Sequence, residues 1–156
     1  ADALAAINAF DYEPIVTCYL QYPETVSLPS PMLGFGGGLV QWVFDRGKLG
    51  GPRGLLAAVI SASGAHDELT KETLVSSIDA ELRAGLGALP APLRSQVITE
   101  KRATHAGTPE RAHPAAGHLG SHIYLAGDHT DPDYPATLEA AVRSGIRAAR
   151  AVLAGR

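Results

Sequence analysis

The sequence predicts a mixed α+β or α/β fold of about one domain's length, on the basis of three observations. Segments rich in β-branched and aromatic residues combine with two segments of helical periodicity, in the order β-β-β-α-β-β-α. Apolar residues make up 46% of the 156 positions and charged residues 19%, a composition that can bury a core. The sequence contains no internal repeat and no linker that would divide it.

The first half of the chain is predicted to form one short helix and three strands. Turn residues bound each strand, and the glycine- and proline-rich segments between them are predicted to be turns or loops. The helix covers residues 3–10, the strands cover 14–22, 39–45 and 55–61, and the turn segments cover 29–38 and 46–54.

The second half is predicted to contain two longer helices. Thr70 is a suitable N-cap for a helix over 70–87, and Pro135 suits the first position of a helix over 135–153. A charged strand over 96–105 is predicted to be an edge strand or a functional face. A loop (107–120) and a short strand (123–126) complete this half.

The last helix carries one narrow apolar seam. Its residues step by four and three positions, as the helical period requires, and small side chains beside them would let another backbone approach closely. The seam consists of Leu138, Val142, Gly145, Ala149 and Val152.

The turn between the last strand and the last helix is the main candidate for a cofactor site. A helix start presents unpaired N–H groups and a partial positive charge, which attract phosphate or an electron-rich carbonyl. Gly127 would permit close approach of a ligand, and Asp128 could accept hydrogen bonds from hydroxyls or amides. An ordinary connection in which Asp128 caps a turn is an equally good interpretation.

Other patterns favour structural interpretations. The glycines at 34–38 lack the spacing and following helix of a nucleotide-binding loop, and Gly47-Lys48 lacks the rest of a P-loop. The six histidines have no metal-ligand spacing, so no metal site is predicted. Ser61, Ser63 and Ser144 have no evident base, so nucleophilic hydrolysis is poorly supported.

Three aromatic residues on predicted strands have two possible roles. Tyr19, Trp42 and Phe44 either belong to the core or form one sheet face that suits an apolar substrate. The charged run Glu100–Arg102 is either a solvated face or presents Lys101 or Arg102 to a ligand.

Charge and cysteine content exclude several classes of protein. The net charge of −3 disfavours a broad nucleic-acid-binding surface. The single Cys18 allows no internal disulfide, and no apolar run reaches the roughly 20 residues of a membrane span. We therefore expect a cytoplasmic chain, and the absence of an initiator Met and of a signal peptide favours a start within a longer protein.

The segments Tyr124–Asp128 and Tyr134–Gly145 together resemble the C-terminal flavin motif of the amine oxidase/phytoene desaturase superfamily. Further segments upstream resemble one branch, the squalene-associated FAD-dependent desaturases or hydroxysqualene dehydroxylases. These segments are Tyr12–Leu20, Gln41–Gly47, Val59–Ser63 and Glu100–Thr104. The resemblance covers nearly the whole chain.

The resemblance implies an α+β fold in two parts. Residues 1–120 would belong to a substrate domain with a mostly antiparallel sheet and flanking helices, and 121–156 would supply the C-terminal half of an FAD site. Gly127, Asp128, Ala136, Thr137 and Leu138 would contact FAD, with Asp128 near the pyrophosphate and ribityl chain. Tyr19, Trp42 and Phe44 would line a tunnel for a polyisoprenoid.

The N-terminal Rossmann fingerprint of that superfamily does not occur in this sequence. We therefore expect a Rossmann portion of the same enzyme to be the partner of this chain. Alone, the chain should bind FAD weakly or not at all, should be inactive, and should self-associate through its last helix or be partly disordered over 128–153. The parent would act in reductive dehydroxylation of hydroxysqualene, in contact with a membrane surface. Carotenoid desaturation, amine oxidation and a non-catalytic binding module are the alternatives.

Overall fold

The computed structural model describes residues 3–107, 114, 117–120 and 122–155. It has two compact units, one formed by Glu13–Ala103 and the other by Ala1–Tyr12 with Thr104–Arg156. Helices combine with a mainly antiparallel sheet, which confirms the predicted α+β class. Among the described residues, no helix is long and apolar enough to cross a bilayer.

The elements follow the predicted order with two additional strands. The helices are α1 (Ala3–Asn8), α2 (Lys71–Leu86) and α3 (Leu138–Leu153). The strands are β1 (Tyr12–Gln21), β2 (Met32–Gly34), β3 (Trp42–Asp45), β4 (Leu55–Ser61), β5 (Arg94–His105), β6 (Gly117–Gly120) and β7 (Ile123–Leu125).

The first unit contains most of a five-stranded sheet with strand order β2-β3-β4-β1-β5. In the antiparallel β1–β4 pair Cys18 lies opposite Ala58, and in the β3–β4 pair Val43 also lies opposite Ala58. The charged strand β5 lies at one edge, as its composition predicts.

Helix α2 covers one face of this sheet. Thr70 accepts a hydrogen bond from the Thr73 amide at 3.2 Å and is the predicted N-cap. The predicted four-residue period places Leu74, Ile78 and Leu82 in the core. They pack against alternate residues of β1, β3 and β4, namely Val16, Cys18, Leu20, Val43, Leu56, Ala58 and Ile60.

Strand β2 lies inside the segment predicted to be only turns. Met32 and Gly34 pair with Phe44 and Trp42, so a short edge strand forms although prolines precede it. Strand β3 begins at Trp42 instead of Leu39, because the carboxylate of Glu81 binds the amides that would extend it. Its oxygens accept hydrogen bonds from Leu39 N–H at 2.9 Å and from Val40 N–H at 3.2 Å.

The second unit contains the hairpin of β6 and β7, against which α3 packs. Strand β6 falls within the predicted loop 107–120, of which 108–113 and 115–116 lie outside the described residues. The last helix begins at Leu138, so the predicted start at Pro135 is wrong. Ala136 has a left-handed φ of +59°, which interrupts a helical run, and the Thr137 side chain caps the helix by accepting from Ala140 N–H.

The apolar seam of α3 faces outward within its unit. Ala140 and Ser144 are the buried residues of the helix, whereas Leu138 is 88% exposed and Val142 and Val152 are more than half exposed. The face that the sequence marks as apolar is therefore not the face that packs on β6 and β7.

Candidate functional site

The turn that follows β7 is fixed by a glycine and a serine. Gly127 has a φ of +153°, and a Cβ at this position would overlap the ring of His129. The Gly127 N–H donates a hydrogen bond of 2.9 Å to the Oγ of Ser144, which in turn donates to the carbonyl of Ala141 at 2.9 Å. Ser144 thus joins the turn to α3.

Asp128 lies between two histidines. Its Oδ2 is 3.9 Å from Nδ1 of His105 and its Oδ1 is 3.7 Å from Nδ1 of His129. Phe10 packs edge-on against both imidazoles, with ring centroids 5.5 and 5.4 Å apart. The Asp128 side chain keeps 39% of its surface exposed, so it can meet a ligand while its neighbours restrict its rotation.

Asp131 organises the segment that leads to α3. Its buried carboxylate accepts from the amides of Asp133 at 3.1 Å and Tyr134 at 3.3 Å, and from the Arg147 guanidinium at 3.0 Å. The hydrogen bond from Arg147, helped by these amides and by Arg143, outweighs burial and lowers the pKa of Asp131 below its usual range. Asp131 therefore stays ionised and ties the loop to the helix.

The first turn of α3 presents amides to solvent. Thr137 Oγ1 occupies the Ala140 amide at 3.1 Å and donates to the Tyr134 carbonyl at 2.6 Å. Within the described part of the chain, no acceptor binds the amides of Leu138 and Glu139. Two N–H groups and the positive end of the helix dipole are thus available to an electron-rich atom.

The structure brings the five predicted cofactor residues into one strand–turn–helix segment. Asp128, Ala136 and Leu138 lie at its surface or partly exposed, whereas the Gly127 amide and the Thr137 hydroxyl are already used within the chain. Sequence reasoning missed Ser144 and Asp131 as the residues that shape this segment. The offset of Gly127 to Ser144, 17 residues, carries no periodic signal that could have revealed the contact.

The predicted substrate residues lie together on the sheet face opposite α2. Tyr19 on β1 and Phe44 on β3 both pair with Ala57 of β4, and Trp42 pairs with Val59 one row further along. Because side chains alternate along a strand, these residues point away from the core, and Trp42 is 44% exposed. Ala57, which lies between the two aromatic residues in the register, is buried.

A concavity of about 400 Å³ continues this face toward β5. Tyr19, Leu55 and Ile98 supply its apolar wall, and polar side chains supply the rest, namely Gln21, Arg94, Ser95 and Gln96. The amide nitrogen of Gln21 donates to the carbonyls of Tyr22 and Arg53 at 2.8 and 2.9 Å, which fixes this side chain.

The cysteine is not a reactive group. Burial, together with the charge of Asp79, raises the pKa of the Cys18 thiol to about 11, so little thiolate forms near neutral pH. Among the described residues, no three His, Cys, Asp or Glu side chains gather into a set that could hold a metal ion.

A glycine–aspartate turn leading to open helix amides is typical of proteins that hold an electron-rich cofactor group at a helix start. The separate sheet face carries the aromatic residues Tyr19, Trp42 and Phe44. The profile of the flavin containing amine oxidoreductases matches residues 1–153. The chain belongs to this family, and its family membership confirms the resemblance noted in the sequence.

Within this family, the chain is similar to three hydroxysqualene dehydroxylases. The chain is 35% identical over 148 residues to a hydroxysqualene dehydroxylase of Rhodopseudomonas palustris, covering 92% of this chain and 33% of that protein. It is 34% identical over 146 residues to one of Sinorhizobium fredii (89% and 32%) and 31% identical over 140 residues to one of Zymomonas mobilis (88% and 32%). The chain thus spans about a third of the length of these relatives.

A solved structure of reduced UDP-galactopyranose mutase superposes on part of the chain. The TM-score is 0.45 at 13% sequence identity, and the match covers 63% of this chain and 23% of that one.

Proposed function

We propose that this chain is the C-terminal portion of an FAD-dependent oxidoreductase that reductively removes the hydroxyl group of hydroxysqualene, releasing squalene and water. The observation that supports this most strongly is the identity of 31–35% to three hydroxysqualene dehydroxylases along about nine-tenths of the chain. Family membership supports the flavin, and the open aromatic sheet face supports an apolar substrate.

The first turn of α3 and the preceding turn fit one part of FAD. The amides of Leu138 and Glu139 would donate hydrogen bonds to an electron-rich edge of the cofactor, and the helix dipole would stabilise negative charge there. Asp128, partly exposed, would accept hydrogen bonds from the ribityl hydroxyls. Gly127, Ala136 and Thr137 would hold the backbone in the shape that exposes these groups. Flavin, once reduced, would supply the hydride that replaces the hydroxyl group and would be oxidised in the step, and the hydroxyl would gain a proton and leave as water.

The aromatic sheet face would bind the hydrocarbon chain of the substrate. Tyr19 and Phe44 would contact it from β1 and β3, and Trp42 would extend the surface along the strands. Such a surface excludes water and holds a flexible chain through dispersion contacts and apolar burial, without fixing its direction.

The remaining parts of the proposal concern partners and location. A Rossmann portion of the same enzyme would hold the adenosine half of FAD and would cover the outward seam of α3. Without it, Leu138, Val142 and Val152 would drive self-association of this chain. The buried single thiol of Cys18 fits a reducing cytoplasmic compartment.

Leu138→Pro tests the cofactor site in the parent enzyme. Proline is favoured at the first helical position and Thr137 has the extended backbone that proline requires before it, so the substitution removes one N–H at little cost to the helix. Leu138→Ala is the matched control, because it shortens the same side chain and keeps the N–H. We expect Leu138→Pro to lower FAD retention by roughly tenfold relative to Leu138→Ala, because that is the effect of losing one charge-assisted hydrogen bond.

The measurements are the flavin content of the purified protein and the melting temperature of each variant. Equal flavin content in both variants would show that the Leu138 amide does not bind FAD. Activity is assayed with hydroxysqualene, phytoene and simple amines, and turnover of phytoene or amines without loss of hydroxyl from hydroxysqualene would refute the proposed reaction.

A further inference from the structure

One end of the five-stranded sheet concentrates exposed positive charge. The side-chain Nε2 of Gln21 donates a hydrogen bond to the backbone carbonyl of Arg53 at 2.9 Å. The backbone N–H of Leu93 donates to the backbone carbonyl of Gln21 at 2.7 Å. The end of β1 therefore brings the β3–β4 loop and the start of β5 together. This basic end is defined by four exposed side chains, Arg46, Lys48, Arg53 and Arg94.

These four cations outnumber the two acids beside them, Glu24 and Asp45. Within the described residues, no carboxylate lies within 4.0 Å of any of the four charged groups. The nearby Asp45 is buried, and its carboxylate is occupied by Ser27 Oγ at 2.8 Å and Leu28 N–H at 2.9 Å. Glu24 is the exposed acid that lines the adjoining hollow with Lys48 and Arg53. The excess of positive charge stands out because the whole chain carries −3.

Two leucines protrude among the cations. Leu49, in the β3–β4 loop, is 48% exposed, and Leu93, directly before Arg94, is 70% exposed. Exposed apolar side chains between basic groups match the two layers of a membrane interface, where cations meet lipid phosphates and apolar groups reach the acyl boundary.

We propose that the basic end docks on a bilayer that contains anionic phospholipids. Charge complementarity supplies the attraction, at about a fivefold gain in affinity for each cation near the surface. Leu49 and Leu93 add apolar burial that a purely electrostatic partner such as a nucleic acid would not use.

The concavity of about 400 Å³ on the sheet face opens beside the basic end. Gln21, Leu55 and Arg94 line its rim at the basic end, and Tyr19 and Ile98 continue it along the sheet. An apolar molecule dissolved in the bilayer would therefore reach the sheet face from the lipid side. This last step rests on the proposed function, whereas docking itself does not.

Vesicle flotation of the parent enzyme, in which we expect α3 to be covered, tests the docking. Vesicles contain phosphatidylcholine alone or phosphatidylcholine mixed with phosphatidylglycerol, and we expect binding to the mixed vesicles that weakens as salt rises. The double variant Arg53→Gln/Arg94→Gln should bind about 25-fold more weakly, two steps of fivefold. Leu93→Ser should weaken binding and leave its salt dependence unchanged.

The control variant is Lys71→Gln/Lys101→Gln, which removes the same charge from exposed positions elsewhere. Lys101 lies seven residues along β5 from Arg94, about 23 Å away at the rise of a strand. We expect its affinity to stay within about twofold of that of the unsubstituted parent enzyme. Circular dichroism checks that each variant is folded.

Three results would overturn the proposal. The first is no binding to mixed vesicles at low salt. The second is an equal loss in both double variants, which would indicate attraction by net charge alone. The third is binding to a single-stranded oligonucleotide, abolished by Arg53→Gln/Arg94→Gln, without any binding to vesicles.

Discussion

Ser144 holds the turn of the candidate cofactor site against α3, and its removal gives a quantitative test of that geometry. Ser144→Ala deletes the Oγ that accepts the Gly127 N–H at 2.9 Å and donates to the Ala141 carbonyl. Ser144 is fully buried and Gly127 is half-buried, so water replaces the lost acceptor poorly. The cost is about 1–2 kcal/mol for the amide, reduced by a few tenths because alanine is the better helix former.

Ser76→Ala is the matched control for this substitution. Ser76 lies on the exposed face of α2 and donates to the carbonyl of Glu72 at 2.9 Å, but it accepts no hydrogen bond from a turn among the described residues. The control should therefore change the free energy of unfolding by less than about 0.5 kcal/mol.

Hydrogen exchange followed by mass spectrometry locates the effect. In Ser144→Ala the peptide that contains Gly127 should exchange about fivefold faster, which corresponds to about 1 kcal/mol, whereas peptides of α2 should be unaffected. Urea denaturation gives the global value. The reasoning fails if Ser144→Ala and Ser76→Ala give the same exchange rate at Gly127.

Two further substitutions test the segment that precedes α3. Because folding lowers the pKa of Asp131, the ionised carboxylate contributes to stability above the usual aspartate pKa of about 3.9, and this contribution is lost as pH falls through the lowered value. Asp131→Asn should therefore reduce the loss of stability of this unit on acidification. Circular dichroism as a function of pH measures that loss. Ala136 has a φ of +59°, so Ala136→Gly should stabilise by a few tenths to about 1 kcal/mol, whereas Ala149→Gly within α3 should destabilise by about 1 kcal/mol. The first expectation is contradicted if Asp131→Asn leaves the pH dependence of stability unchanged. The second is contradicted if urea denaturation shows that Ala136→Gly and Ala149→Gly both destabilise the protein.

The predictable part of the fold came from local patterns. Thr70 and the four-residue period of Leu74, Ile78 and Leu82 determined both the start of α2 and the face that it buries, because capping and amphipathicity act over a few residues. The charged composition of β5 likewise indicated its place at the edge of the sheet, where it is solvated.

The errors in the bounds of β3 and α3 arose where side chains compete for the backbone amides. Glu81, some forty positions away, binds the amides of Leu39 and Val40 and shortens β3. Asp131 binds the amides of Asp133 and Tyr134, and the left-handed Ala136 follows, so α3 begins at Leu138 and not at Pro135. The contact from Glu81 requires the chain to be folded before it exists. The contacts from Asp131 are local turn contacts, which helical periodicity does not reveal.

The sequence by itself determined the α+β class, the placement of α2 and the family, because periodicity, caps and motifs are properties of neighbouring residues. Only the tertiary structure decided that Tyr19, Trp42 and Phe44 share one open sheet face, and that Ser144 ties Gly127 to α3. It also decided that loop cations far apart in the chain meet at one end of the sheet. These juxtapositions depend on strand register and order, which hydrogen bonding between distant segments fixes.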